Sequence, residues 1–165
     1  MLLKGKAWKF GDDISTDHIA PGRLFHLRTN LPELAKHVLE DADSDFASNV
    51  RPGDFVVAGK NFGLGSSREH APRIIKLAGV GAVLAQSFAR IFFRNAINIG
   101  LPVLECDTTK IDGGDELEVD VAKGEVRNLT KGTSIKATAL PEVMIKILND
   151  GGIVEHFKKH GGFAL

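Results

Sequence analysis

The sequence predicts an α/β fold built on a mixed, partly parallel β-sheet. Short apolar segments alternate with helical segments between residues 55 and 105, a pattern typical of parallel βαβ units. Two later strand segments, residues 116–121 and 125–129, are separated only by Ala122-Lys123-Gly124, which predicts an antiparallel hairpin. Parallel and antiparallel strand pairs are therefore expected in the same sheet.

The N-terminal part of the chain is predicted to hold one strand and one helix. Residues 2–10 alternate loosely between apolar and polar side chains, which indicates a strand, and residues 12–22 indicate a loop. Asn30 is followed three residues later by a glutamate, a spacing typical of a helix start. We expect that helix to end near Glu40, and residues 41–50 to form a polar loop.

The central part is predicted to alternate strand and helix. Residues 55–58 and 82–85 are short, continuous apolar runs, which are typical of buried strands. The helix between them is expected to end at Gly79, because glycine is the favoured residue just after a helix. Pro72 must then lie in the first turn, where proline is tolerated.

The remaining elements follow from caps and apolar patterning. Ser87 is expected to cap a helix over residues 88–97, since serine is a favoured N-cap residue. Pro141 is expected to open a helix that ends near residue 148. The others are strands at residues 102–105 and 135–139 and a last short helix at residues 153–159.

Composition indicates one ordinary globular domain, which we expect to span residues 1–165. The chain has 165 residues, of which 43% are hydrophobic and 25% charged, and its formal net charge is zero. A nucleic-acid or membrane-surface partner would favour a basic excess, so neither is expected. No apolar run approaches the length of a membrane-spanning helix, and no signal-peptide core follows the first residues. A cytoplasmic location is expected.

Metal ligands are sparse in the sequence. Cys106 is the only cysteine, so the chain can form neither an internal disulfide nor a cysteine cage for a metal cluster. The six histidines show no paired spacing typical of zinc. We therefore expect no metal site on this chain.

The segment from Gly59 to Ala71 has the residues of a small-anion site. Its glycines allow backbone to approach a ligand closely, and a helix starting just after them would present free N–H groups. Arg68 adds a fork of donors suited to a carboxylate. The segment lacks the spacing of phosphate loops, dinucleotide-binding loops and serine-hydrolase elbows. A tight loop whose serine only caps the helix remains the alternative.

Three motifs resemble the signature of the mobile swivel domain of the aconitase superfamily. They occur in the order of that family and together cover most of residues 1–105. The motifs are Thr16-Asp17-His18-Ile19, Gly63-x-Gly65-Ser66-Ser67-Arg68-Glu69-His70-Ala71 and Gln86-Ser87-Phe88-Ala89-Arg90-Ile91-Phe92.

This resemblance implies a layered β/β/α swivelling domain and a hydro-lyase activity. Such enzymes remove water from a hydroxy acid and add it back, so that the hydroxyl moves between adjacent carbons. In the two-subunit members, which act on isopropylmalate in leucine biosynthesis or on homocitrate in lysine biosynthesis, a free-standing small subunit of this kind works with a large subunit. The resemblance implies that a [4Fe–4S] cluster is held by that partner, in a heterodimer or heterotetramer, and that this chain binds no cofactor itself.

The resemblance also implies roles for individual residues. Ser66 matches the serine base of the family, and Arg68 matches a substrate-binding arginine. Ser67 is expected to hydrogen-bond a substrate carboxylate or the loop itself. Asp17 matches an active-site aspartate, for which we expect a role in orienting an arginine or a histidine. Simple loop-capping roles are the alternatives for Ser66 and Asp17.

Substrate choice is predicted to lie in the segment of residues 25–30. Arg28 follows Asp17 by eleven residues, close to the position of an arginine that contacts the distal carboxylate in aconitase-like proteins. Leu27 would suit the isopropyl group of isopropylmalate, whereas Arg28 would suit the acidic arm of homocitrate. A non-catalytic anion-binding module and, more remotely, a serine hydrolase remain as alternative functions.

Overall fold

A seven-stranded sheet forms the centre of the computed structural model, which describes residues 1–66 and 68–161. In chain order the strands are β1 (Leu2–Lys9), β2 (Phe55–Ala58), β3 (Ala82–Ala85), β4 (Val103–Glu105), β5 (Glu116–Asp120), β6 (Glu125–Asn128) and β7 (Thr133–Lys136). Their order across the sheet is β4-β3-β2-β1-β5-β6-β7. The predicted α/β class is confirmed.

Strand β1 is the boundary between a parallel and an antiparallel half. On one side β1, β2, β3 and β4 are parallel, with Trp8 opposite Val56. On the other side β1, β5, β6 and β7 are antiparallel, with Leu3 opposite Val119. Every residue of β2 and β3 is buried, as expected of strands covered on both faces. The predicted mixed, partly parallel sheet is confirmed.

Seven α-helices connect or flank the strands in the described residues. They are α1 (Thr16–Ile19), α2 (Leu31–Ala35), α3 (Phe46–Asn49), α4 (His70–Leu77), α5 (Arg90–Asn98), α6 (Glu142–Asn149) and α7 (Ile153–His160). Two 3-10 helices lie at Gly22–Thr29 and Thr108–Lys110. None of the helices in the described parts of the chain is long and apolar enough to span a bilayer.

The longer helices pack in a row. Helix α4 contacts α2 and α5, α5 contacts α6, and α6 contacts α7. On α4 the apolar side chains Ile74 and Ile75 are fully buried, and α5 buries Phe92 and Ala96 in the same way. Because these side chains recur at helical spacing, α4 and α5 each turn one apolar face toward the sheet and their neighbours.

Two short helices lie where the sequence predicted loops. Helix α1 falls within residues 12–22, where the Ser15 hydroxyl accepts a hydrogen bond from the backbone N–H of His18 and the His18 ring accepts one from the Ser15 N–H. Helix α3 falls within residues 41–50 and is held by Phe46, which is fully buried against Trp8 and Phe10. Burial of one aromatic ring therefore stabilises a helix in a segment whose sequence is mostly polar.

Helix α2 starts as predicted but is shorter. The Asn30 side chain accepts from the Glu33 N–H, so the cap is confirmed. The helix ends at Ala35, before a turn in which Leu39 has a positive φ of 56°. The Leu39 N–H bonds to the Ile19 carbonyl, and its side chain is fully buried. Tertiary burial of Leu39 thus ends the helix early.

Other predicted boundaries shift by a residue or two. Helix α5 begins at Arg90 with Ala89 as its N-cap, so the prediction that Ser87 caps it is wrong. The Ser87 hydroxyl accepts instead from the Asn61 N–H at 2.8 Å, in the loop that carries the glycines. Strand β7 ends at Lys136, earlier than the predicted residues 135–139.

Candidate active site

Backbone hydrogen bonds join the glycine-rich loop to the segment before α1. The Gly63 N–H donates to the Ile14 carbonyl at 2.7 Å, and the Thr16 N–H donates to the Leu64 carbonyl at 2.8 Å. The Thr16 hydroxyl donates to the Ser66 carbonyl at 3.0 Å. Two motifs that lie about fifty residues apart in sequence are thereby held as one unit.

Two positions of this loop require glycine, because neighbouring atoms leave little room for a side chain and because the backbone φ is positive. Gly63 has a φ of +84°, and a Cβ at this position would stand 2.3 Å from the Phe92 ring. Gly65 has a φ of +104°, and its Cβ would lie 3.3 Å from the Thr16 hydroxyl. The loop therefore passes so close to α1 and α5 that side chains at these two positions would disturb the site.

Ser66 is exposed at the end of this loop, and its hydroxyl oxygen accepts a hydrogen bond from Arg68 Nε at 3.2 Å. The following helix, α4, begins only at His70, and Glu69 is its N-cap residue. The alternative in which Ser66 caps that helix is therefore wrong. Ser67, predicted to bind substrate, lies outside the described residues.

Arg68 distributes its guanidinium group among three partners. Nη2 lies 2.5 Å from Asp17 Oδ1, Nη1 donates to the Ala20 carbonyl at 3.1 Å, and Nε donates to Ser66. The Arg68 side chain is mostly buried, with 18% exposed, whereas the Asp17 side chain is 64% exposed. Asp17 thus holds an arginine, which is one of the two orienting roles predicted for it.

Arg28 approaches the same region from the 3-10 helix Gly22–Thr29. Its guanidinium carbon lies 4.3 Å from the centre of the Phe25 ring, and that of Arg68 lies 5.6 Å from the same ring. The ring of His70 is a further neighbour of Phe25, at 6.4 Å between centroids. Burial, and then the charges of Arg68 and Arg28, lower the pKa of His70 below its usual value. Two arginines therefore flank one exposed aromatic ring.

Phe25 lies in the segment predicted to govern substrate choice but was given no role of its own, and it is 47% exposed although it is a large apolar side chain. No spacing rule singles out one phenylalanine among ten. Leu27, expected to suit an isopropyl group, is partly buried and packs on the core. The structure places Ser66, Arg68 and Asp17 in direct contact, while Arg28 joins them only through Phe25 and His70.

A shallow cavity of about 230 Å³ opens beside Ser66 and Arg68. The first turn of α5 forms its other side, including the exposed side chains of Arg90 and Ile91. Sequence analysis assigned Arg90 no role. The cavity combines hydroxyl, guanidinium and apolar surface, which suits a small carboxylic acid with an apolar substituent.

Cys106 does not fit an iron–sulfur cluster. It is 9% exposed at the end of β4, and burial raises the pKa of its thiol to about 12. Clusters are bound by several ionised thiolates, and this chain has a single cysteine. The residues of this chain therefore cannot hold the cluster that the resemblance implies.

Comparison with known proteins agrees with the resemblance. Residues 26–109 match the family model described as the aconitase C-terminal domain. The chain is 69% identical to 3-isopropylmalate dehydratase small subunit 2 of Archaeoglobus fulgidus over 165 residues, which is the full length of both chains. It is 52% identical over 160 residues to the isopropylmalate/citramalate isomerase small subunit of Methanocaldococcus jannaschii, covering 96% of this chain and 95% of that protein.

The fold is also similar to that of a solved structure. A crystal structure of 3-isopropylmalate dehydratase from Methanocaldococcus jannaschii superimposes with a TM-score of 0.92 at 45% identity. The superposition covers 98% of this chain and 96% of that one. Similarity at this level extends through the whole sheet and its helices.

Proposed function

We propose, from the premise that this chain belongs to the family of 3-isopropylmalate dehydratase small subunits, that it supplies the base and a carboxylate-binding arginine to that hydro-lyase. The enzyme interconverts 2-isopropylmalate and 3-isopropylmalate through isopropylmaleate, in leucine biosynthesis. The contact between the Ser66 hydroxyl and Arg68 Nε, on an exposed loop beside a cavity, carries the assignment of roles.

Ser66 is proposed to take the proton from the substrate carbon beside a carboxylate. A serine hydroxyl is a weak base, so its ionised form needs nearby positive charge. The Nε–H of Arg68 already donates to the Ser66 oxygen and would strengthen as that oxygen becomes negative. The remaining N–H donors of Arg68, and the hydroxyl of Ser67, are proposed to bind a substrate carboxylate.

The large-subunit partner is proposed to hold the [4Fe–4S] cluster, which would supply a Lewis acid for the departing hydroxyl. Ser66 is exposed in this chain, so a partner surface must cover it to exclude water during the reaction. We propose that residues 1–165 act as a single domain in this assembly, that neither nucleic acid nor membrane takes part, and that the assembly works in the cytoplasm.

Isopropylmalate is favoured over homocitrate as the substrate by the names of the relatives. A second candidate, citramalate, is favoured by the isomerase of Methanocaldococcus jannaschii, whose printed name includes it. Citramalate carries a methyl group where isopropylmalate carries an isopropyl group, so one apolar surface can serve both. Arg28 remains the residue that is proposed to contact the distal carboxylate of the substrate. Its loss should therefore weaken turnover of a substrate with an acidic arm more than turnover of isopropylmalate.

The decisive experiment is anaerobic reconstitution with a cluster-bearing large subunit. Hydration of isopropylmaleate, citraconate and cis-homoaconitate is followed with the parent chain, with Ser66→Ala and with Ser134→Ala, an exposed serine on β7. We expect isopropylmaleate hydration to need both chains and to fall about 10³-fold in Ser66→Ala only. Equal loss in both variants, or full activity of Ser66→Ala, would rule out Ser66 as the base.

A further inference from the structure

Three side chains capable of binding a metal converge at the C-terminal pair of helices. Asp150 directly follows α6, and His156 and His160 lie one turn apart on α7. His156 Nδ1 lies 2.8 Å from Asp150 Oδ2, and His160 Nε2 lies 3.1 Å from the same oxygen. The expectation that no histidines in the chain show a paired spacing is therefore wrong, because a separation of four residues places both imidazoles on one helix face.

The three side chains lie close enough for their ligand atoms to reach one ion after small adjustments. The three ligand atoms all lie within 4.8 Å of one another. Zinc bonds nitrogen and oxygen at about 2.0–2.2 Å, so tetrahedral ligands stand roughly 3.3–3.5 Å apart. Around one ion, the contacts of 2.8 and 3.1 Å to Asp150 Oδ2 would lengthen slightly and the two histidine nitrogens would stand closer together, a change that rotation of the partly exposed His160 side chain can supply.

Asp150 is the shared partner in this cluster, and only 8% of its side chain is exposed. Lys159 contacts the other carboxylate oxygen, Oδ1, and leaves Oδ2 to the histidines. His156 is fully buried, which fixes its ring, whereas the His160 side chain is 34% exposed, which leaves an approach from solvent.

We propose that Asp150, His156 and His160 bind one zinc ion, with water as the fourth ligand. Two imidazoles and one carboxylate favour zinc over magnesium or calcium, which prefer sets of oxygen ligands. In the structure these two ring nitrogens donate to Asp150 Oδ2, so zinc binding requires the other tautomer of each ring, with Nδ1 of His156 and Nε2 of His160 unprotonated. The ion joins the end of α6 to two turns of α7, so it stabilises the C-terminal helix pair and takes no part in the hydro-lyase reaction.

Zinc titration of the full chain tests this proposal. After removal of metal with a chelator, Zn²⁺ and Co²⁺ are added separately to the parent chain, to His160→Gln and to His26→Gln, which removes an exposed histidine elsewhere. We expect one zinc per parent chain, visible absorption of tetrahedral Co²⁺, and a higher Tm with zinc. The affinity should be at least tenfold weaker in His160→Gln and unchanged in His26→Gln.

His160 is chosen because it is partly exposed, so its replacement leaves the buried His156 and the fold in place. Asp150→Asn provides a second test, since it keeps a hydrogen-bond acceptor but removes the charge. Equal zinc affinity in the parent chain and in both variants, or a parent Tm that zinc does not raise, would show that the three side chains form only a hydrogen-bond network.

Discussion

Arg68 is held in place before any substrate arrives. Its three contacts include one with a carboxylate, one with a backbone carbonyl and one with the Ser66 hydroxyl. Because a long side chain loses rotamer freedom when it binds, these contacts reduce the entropy lost when a substrate carboxylate joins them. Asp17 is therefore proposed to act on the reaction through Arg68.

Asp17→Asn should lower kcat/KM for isopropylmalate roughly tenfold, because a charged hydrogen bond contributes about 1.5 kcal/mol or more and the exposure of Asp17 favours the lower end of that range. Steady-state kinetics of the reconstituted enzyme measures this. Asp41→Asn is the matched control, since Asp41 pairs with Arg23 at 2.9 Å on the surface. The prediction fails if the two variants have the same kcat/KM.

Cys106 is expected to be nearly inert toward alkylation in the folded chain. A thiol whose pKa is about 12 has roughly one molecule in ten thousand ionised at pH 8. Labelling with iodoacetamide at pH 8 should therefore be at least about 100-fold slower in the native chain than in the chain unfolded by urea. Similar labelling rates in the two states would contradict the buried position.

The grouping of Asp17, Ser66 and Arg68 in one site follows from motif recognition, but the contribution of Phe25 does not. Asp17 and Arg68 lie fifty-one residues apart, and the sequence indicates that both serve one site without showing that they touch. The contribution of Phe25 arises because its ring stays exposed between two arginines. No periodic sequence pattern encodes such a position. Ser66 resembles a helix cap in sequence, and only the start of α4 at His70 excludes that role.

At the scale of elements, the glycine-rich loop is sensitive to substitution because it is packed closely between α1 and α5. Gly63→Ala should destabilise the chain by more than about 3 kcal/mol, since a Cβ would enter the Phe92 ring and the φ of +84° is also strained. Gly132→Ala should cost only about 1 kcal/mol, because its φ is +70° but no atom lies within 4 Å of the added Cβ.

Urea unfolding of the two glycine variants separates the steric contribution from the backbone contribution. Both residues have left-handed backbone, so the difference between their free energies of unfolding reports the contact with Phe92. Equal destabilisation would mean that the loop can move away from α5 without loss, which would contradict the close packing described above.

The succession of strands and longer helices along the chain could be predicted from the sequence, because each of these elements has its own apolar pattern. Helix α2 illustrates the limit of that approach. Its pattern extends to Leu39, yet the helix stops at Ala35 because Leu39 is buried by contacts with residues distant in sequence. Helix α3 depends in the same way on the single ring of Phe46. Such tertiary contacts override local propensity.

The junction of α6 and α7 should lose stability in acid. The pKa of Asp150 is about 2, below its usual value, because of hydrogen bonds from His156, Lys159 and His160. A lowered pKa contributes stability that is present above about pH 4 and is lost as the pH falls toward 2. In the presence of a chelator, Asp150→Asn should unfold with less pH dependence between pH 4 and 2 than the parent chain, as measured by circular dichroism.

At the scale of the whole molecule, the proposed active site is half of a site. Ser66 is exposed to solvent and lines the cavity of about 230 Å³ together with Arg68. The chain alone should therefore show no measurable hydration of isopropylmaleate, and activity should appear only with the large subunit.

Hydrogen exchange offers an independent view of this assembly. Binding of the large subunit should slow exchange of backbone amides in residues 60–66, because the partner is proposed to cover this loop. The hairpin of β6 and β7, at the far edge of the sheet, serves as the internal reference and should be unchanged. Protection of the hairpin alone would place the partner on the wrong side for catalysis.

The position of β1 at the boundary of the sheet has a consequence for folding. Residues 2–9 pair with residues 55–57 on one side and 116–120 on the other, so neither half of the sheet is complete without closing a long loop of chain. Contacts between residues so distant in sequence slow folding. Until β5 arrives, β1 presents an open edge that can pair with another chain, and folding at high concentration should compete with aggregation at that edge.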